Sequence, residues 1–193
     1  MQYNNAIFKY IIGIIFFLLL FNKAYAKNEF EIAGFKLGML LSDKLTAEEI
    51  KRGQTRNFYN TKYIKVQEFE KSSYFTEYDY TQFAFKKKSK KEKIIAIDGV
   101  KHYANNIWEC FFKKDEIVDS IKKKYKKKID YFDDIGTRKL TSQKGTQTTI
   151  WIIFKDKTYI YVSCYNYDPS SSSVDALRIG ISNKYFDKYA FKK

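Results

Sequence analysis

Thr148-Thr149-Ile150-Trp151-Ile152-Ile153-Phe154, then Lys155-Asp156-Lys157-Thr158, then Tyr159-Ile160-Tyr161-Val162-Ser163-Cys164-Tyr165, is the stretch that decides the fold. Two runs rich in β-branched and aromatic residues flank a short polar turn, which is the pattern of an antiparallel hairpin. Successive side chains of a strand point to opposite faces. In the second run Ile160, Val162 and Cys164 therefore share one face, while Tyr159, Tyr161, Ser163 and Tyr165 share the other. Cys164 points with the aliphatic residues, toward a core.

Working outward, strands are expected at 30–37, 62–70, 74–87, 94–100 and 174–181. The lysine run 86–91 reads as a solvated hairpin tip. A short helix is expected over 46–52, with Thr46 as its cap, Glu48 and Glu49 in the first turn where the dipole favours negative charge, and Gly53 at its end. A longer helix is expected at about 113–126, where Ile117, Val118, Ile121 and Tyr125 recur at helical spacing and lysines crowd the end. Together these elements predict an α+β protein: a curved antiparallel sheet of six or seven strands packed with one long and one short helix. Ile32-Ala33-Gly34-Phe35-Lys36 is echoed by Ile97-Asp98-Gly99-Val100-Lys101, and Glu49-Ile50 by Glu116-Ile117. The echoes suggest two tandem related halves, 27–92 and 93–193, within one domain spanning 27–193.

Residues 1–26 read as a cleaved signal peptide. Lys9 gives a positive start, Tyr10 to Phe21 is apolar apart from Gly13, and Ala24-Tyr25-Ala26 offers small residues to the peptidase. The apolar run is short against the roughly 20 residues that a membrane-spanning helix needs. The expected location is periplasmic or secreted. In an oxidising compartment Cys110 and Cys164 are expected to form one disulfide, with the chain entering the long helix carrying Cys110 to the inward-facing Cys164.

Without the leader the chain carries 34 basic and 22 acidic residues, a formal +12. Such a charge suits an anionic partner, but the codon bias of an AT-rich genome produces the same abundance of lysine, and composition does not separate the two. Only Arg52, Arg56, Arg138 and Arg178 supply the guanidinium fork that favours phosphate, which with export argues against nucleic acid. His102 is the sole histidine and has no nucleophile at a recognisable spacing. Asp130, Asp133 and Asp134 form the tightest acidic cluster, yet lack the glycine and distal glutamate of a calcium loop and read as a solvated turn. No catalytic residue, metal or cofactor is assigned. The binding candidates are the tyrosine row Tyr159, Tyr161 and Tyr165, and the basic group Lys122, Lys123 and Lys126 at one helix turn.

Leu37-Gly38-Met39, then Ala47-Glu48-Glu49-Ile50, then Gly53, resembles the opening of small exported α+β modules of the β-lactamase-inhibitor and outer-membrane-assembly-lipoprotein type. The chain as a whole, through its closing Asp175-Ala176-Leu177-Arg178-Ile179, is also similar to uncharacterised exported proteins of AT-rich bacteria. The resemblance implies a twisted antiparallel sheet and a binding role. The expected function is a non-enzymatic exported binding or cell-envelope interaction module that contacts a protein or an anionic envelope component, with peripheral membrane contact left open. A small exported hydrolase with an acidic site is the alternative. Oligomeric state is not legible.

N-terminal sequencing of the exported protein is expected to start at Lys27; an intact Met1 in the membrane fraction would instead mean an uncleaved anchor.

Overall fold

The computed structural model describes residues 30–190 except 105 and 142, so the expected leader at 1–26 lies outside the described residues. Among the described residues, no helix is long and apolar enough to cross a membrane. The first helix, α1 (Ala47–Arg52), starts as expected at Thr46. The Thr46 hydroxyl accepts from the Glu49 amide at 3.3 Å, and the Glu49 carboxylate accepts from the Thr46 amide at 2.7 Å, a reciprocal capping box. The Thr46 amide and hydroxyl, both donating to the Glu49 carboxylate, hold its carboxyl below the usual value.

Four strands follow: β1 (Gln54–Arg56), β2 (Ile64–Glu70), β3 (Tyr80–Lys86) and β4 (Ile94–His102). Then comes α2 (Ile107–Tyr125), whose cap Asn106 accepts from the Glu109 amide. This helix begins six residues before the expected start. Trp108, Phe111 and Phe112 break the simple apolar periodicity there, because Trp108 and Phe112 face solvent. The second set is β5 (Ile129–Lys139), β6 (Gly145–Phe154), β7 (Thr158–Tyr167) and β8 (Ala176–Asn183), followed by α3 (Lys184–Ala190).

The eight strands form one open, wholly antiparallel sheet in the order β1-β2-β3-β4-β8-β7-β6-β5. The α+β class is as expected. Among the described residues the strand number is eight rather than six or seven, and α3 makes a third α-helix. Residues 30–37 are not a strand. The chain turns back at Ala33 (φ 51°) and Gly34 (φ 76°), and Ile32 and Phe35 close the turn with two backbone hydrogen bonds. Positive φ at both central residues is the geometry of a tight reversing turn, so the alternating pattern there serves to bury Ile32 and Phe35 and not to extend a ladder. Residues 97–101 instead lie inside β4, so the two echoing pentapeptides are not structurally equivalent. The acidic segment 130–134, expected as a solvated turn, belongs to the edge strand β5. Charges and bulges on an edge discourage pairing with another chain, and β5 carries irregularities at 129–131 and 134–136.

The main core lies between one sheet face and α2 with the N-terminal segment, and contains Phe35, Phe83, Ile97, Val118, Ile160 and Ile181. A smaller cluster under α3 covers one end of the opposite face, where Phe186 and Ala190 pack on Ile64, Val66, Ala84 and Ala96. Cys110 of α2 and Cys164 of β7 are bonded, with sulfurs 2.09 Å and Cα atoms 5.9 Å apart, and both are buried. The bridge staples the helix to the sheet. With a sequence separation of 54, its loop-closure contribution is about 4 kcal/mol. Replacing both cysteines by alanine is expected to lower urea-unfolding stability by about that amount; unchanged stability would contradict the staple role.

Candidate functional site

One register row crosses the whole sheet. Gln54, Glu68, Gln82, Asp98, Gly180, Tyr161, Trp151 and Asp133 are successive cross-strand partners from β1 to β5. Partners in a ladder point to the same side. Tyr161 alternates with the core residues Ile160 and Val162, so the row lies on the face away from α2.

Gly180 sits at the middle of this row for a steric reason. A Cβ there would fall 2.2 Å from both Asp98 Oδ1 and a Tyr161 ring carbon. Its absence lets the Tyr161 ring lie across β8 and donate its hydroxyl to Asp98 Oδ1 at 2.5 Å. The other Asp98 oxygen is 3.4 Å from Arg178 Nη2. Arg178 Nη2 also donates to Gln82 Oε1, Gln82 Nε2 donates to Glu68 Oε2, and Glu68 Oε1 accepts from Arg56 Nε at 2.8 Å and Nη2 at 2.7 Å. The result is an unbroken chain, Arg56–Glu68–Gln82–Arg178–Asp98–Tyr161, spanning six strands. It holds two guanidinium groups and two carboxylates and is neutral as a whole.

Burial sets the electrostatics. Glu68, Gln82 and Asp98 are buried, and the Arg178 side chain is 24% exposed with its Nε enclosed and without an acceptor. The desolvation of this guanidinium is offset by its contacts with Gln82, Asp98 and Tyr165. Burial pushes the Tyr161 phenol well above its ordinary value, against the opposing pull of Arg178, so Tyr161 keeps the proton that it donates. Tyr59 and Tyr165 are raised chiefly by desolvation; at both, Asp98 adds to the effect and Arg178 opposes it.

Beside the chain opens a cleft of about 270 Å³. Arg56, Glu68, Gln82 and Arg178 supply its polar lining, and Phe58, Tyr80, Tyr165 and Tyr167 its aromatic walls. The Tyr165 and Tyr167 rings are nearly parallel, 16° apart in plane with centroids at 6.1 Å.

The structure brings only part of the expected site together. Tyr161 and Tyr165 belong to this face, the first within the polar chain and the second in the cleft wall. Tyr159 shares their face but pairs with Ser182, outside the cleft lining. Lys122, Lys123 and Lys126 are exposed at the C-terminal end of α2, on the other side of the sheet, where Lys122 Nζ lies 5.1 Å from the Phe132 ring centroid. The tyrosines and lysines thus form two surfaces. His102 lies at the end of β4, its Nδ1 3.9 Å from Asp79 and its ring edge-on to Tyr80. Asp130 pairs with Lys157, and Asp134 accepts from the Gly136 amide. Among the described residues, no group of three or more His, Cys, Asp or Glu is placed to hold a metal ion.

Arg56, Glu68, Gln82, Asp98 and Arg178 were not expected as site residues. One signal for them was present: in Leu177-Arg178-Ile179-Gly180-Ile181 the positions alternating with the aliphatics are arginine and glycine, an unusual pair for a strand. What could not be read was that β8 is central, which requires the β4–β8 pairing.

Two outcomes are expected. Gly180→Ala should destabilise the fold by about 1–3 kcal/mol through overpacking against Asp98 and Tyr161. Stability should also fall as pH rises beyond about 10, the ordinary phenol pKa at which the unfolded chain loses its protons while the folded chain retains them. Urea unfolding at neutral and alkaline pH checks both, and the alkaline loss should be smaller in Tyr161→Phe. An alkaline loss that Tyr161→Phe leaves unchanged would contradict the assigned role of that phenol.

Comparison with known proteins adds no identity to this geometry: no family model, no curated protein and no solved structure matches the chain.

Proposed function

We propose that this chain is an exported, non-enzymatic binding module whose contact surface is the cleft beside Arg178. The observation that carries the reading is the charge-balanced chain from Arg56 to Tyr161, buried at Glu68, Gln82 and Asp98 and running into an aromatic-walled cleft. Such a network is a poor stabiliser, since well-packed apolar residues of similar volume commonly do as well or better. Its presence is better accounted for by recognition, because pre-paired side chains have little freedom left to lose when a ligand arrives.

Catalysis has less support from the same groups. Glu68 is held by Arg56 and Gln82, and Asp98 by Tyr161 and Arg178. A general base taking a proton there would break the contacts that orient it. The partner is a protein or an anionic envelope component, and the net +12 of the exported chain supports attraction to such a surface. In this reading Lys122, Lys123 and Lys126 are an auxiliary electrostatic patch. The strand order, symmetric about β4–β8 with a helix before each set of four strands, supports two related halves. Their boundary then falls between β4 and α2 and not near residue 92.

Capture of the tagged, disulfide-intact protein by the envelope fraction of the producing cells tests the reading. Arg178→Gln and Tyr165→Ala should each reduce capture by about tenfold or more. Reversing charge at Lys122, Lys123 and Lys126 should weaken it modestly and in a salt-dependent way. Capture indifferent to both cleft variants would overturn the assignment of the surface.

A further inference from the structure

We infer that the cleft takes one uncharged pyranose ring from the glycan of that envelope component, whose anionic groups lie outside the cleft; the inference rests on the binding-module reading and names the unit that enters the site. The first ground is charge. Arg56 is paired with Glu68 in the lining and Arg178 with Asp98 behind it, so each cation that faces the cleft already has its counter-ion. The lysines that make the chain basic lie elsewhere, those at the end of α2 on the opposite side of the sheet. A polar ligand without charge suits this site better than a phosphate or a carboxylate does.

The second ground is the kind of hydrogen-bonding group. Guanidinium, carboxylate and carboxamide are planar and present paired donors or acceptors, and Arg56, Arg178, Glu68 and Gln82 supply all three types within one cleft. Adjacent hydroxyls on a sugar ring each donate and accept, so they match a lining that offers both. An apolar side chain of a peptide would cover the donor and acceptor capacity that the internal pairs leave over and make no use of it.

Aromatic geometry is the third ground. Tyr165 and Tyr167 stack nearly parallel in the lining, with Tyr80 and the 53% exposed Phe58 beside them, so aromatic surface is available for a ligand ring to pack on. A pyranose has one flank of ring C–H groups, which packs on the electron-rich face of an aromatic ring, and hydroxyl edges, which turn to the polar lining. Size agrees: about 270 Å³ is just below the range in which sites for drug-sized ligands begin, roughly 300 Å³, and suits a single ring. The cleft opens to solvent, so the rest of a glycan chain can continue outward.

The experiment is a glycan array of neutral and charged oligosaccharides probed with the mature, disulfide-intact chain, each positive measured again by calorimetry in low and high salt. Neutral oligosaccharides are expected to bind with little salt dependence. Tyr165→Ala and Tyr167→Ala, whose folding is checked by thermal unfolding, should each weaken them by about tenfold. Arg178→Lys should weaken them too, but the tyrosine variants keep the test decisive if that variant fails to fold. An array without a bound neutral glycan overturns the inference. So does binding confined to charged glycans that disappears in high salt and survives both tyrosine variants, since that result places the contact on surface lysines. If envelope capture still depends on the cleft while the array stays blank, the binding-module reading stands and the ligand is a protein. Capture that ignores the cleft removes the reading and the inference together.

Discussion

The pairing of β4 with β8 is the constraint on which the rest of the structure depends. Strands β1 to β4 and β5 to β8 each form a meander from neighbours in sequence, and only this pairing, from Ala96↔Ser182 to His102↔Ala176, makes one sheet of them. It closes a long loop, with an entropic cost that local hairpins avoid. The apolar face of the junction offsets that cost, and the polar face helps to specify its register. Toward α2, Ile97, Ile179 and Ile181 are buried in the main core. Away from it, Asp98 and Arg178 meet across the two strands while Tyr161 crosses Gly180. A slip of one residue would put Arg178 under α2 and Ile179 among the carboxylates, so register is specified from both sides.

The division of labour between the two faces explains how a polar row can exist at the centre of the sheet. The Cys110–Cys164 bridge and the buried stripe of α2 hold the helix to one face, and most of the apolar burial is concentrated there. Only one end of the second face needs covering, and α3 with the tyrosines of its cluster does so. The remaining surface is left for charged side chains that pair with one another. Two glycines make close approaches on opposite faces of this junction: Gly180 under Tyr161, and Gly99 under Tyr78 on the core side. In both places an aromatic ring occupies the volume of the missing side chain.

Much of this was legible from residue patterns. The hairpin at 148–165, the capped helix at 46–52 and the inward register of Cys164 follow from alternation, capping chemistry and oxidation state, which are local properties. The turn at Ile32–Phe35 interrupts residues 30–37, whose alternation suits a strand, and only the conformation of Ala33 and Gly34 reveals the reversal. Strand β5 was missed because an edge strand needs no apolar alternation, and its acidic residues resemble a solvated turn. Tyr161 and Tyr165 of the tyrosine row lie on the face that carries the polar chain. Their partners Asp98 and Arg178 stand 80 residues apart and could not be placed together without the strand order.

The central claim is that Asp98 and Arg178 form one unit at the β4–β8 junction. A double-mutant cycle with Asp98→Asn, Arg178→Gln and the double variant, read by urea unfolding, measures it most directly. Each single change strands a buried charge and should cost about 3–5 kcal/mol. The double variant should cost clearly less than the two losses together, leaving a coupling of about 1–3 kcal/mol. Additive losses, with no coupling, would mean that the two side chains are neighbours without being partners, and that register at the junction is set by the apolar face alone.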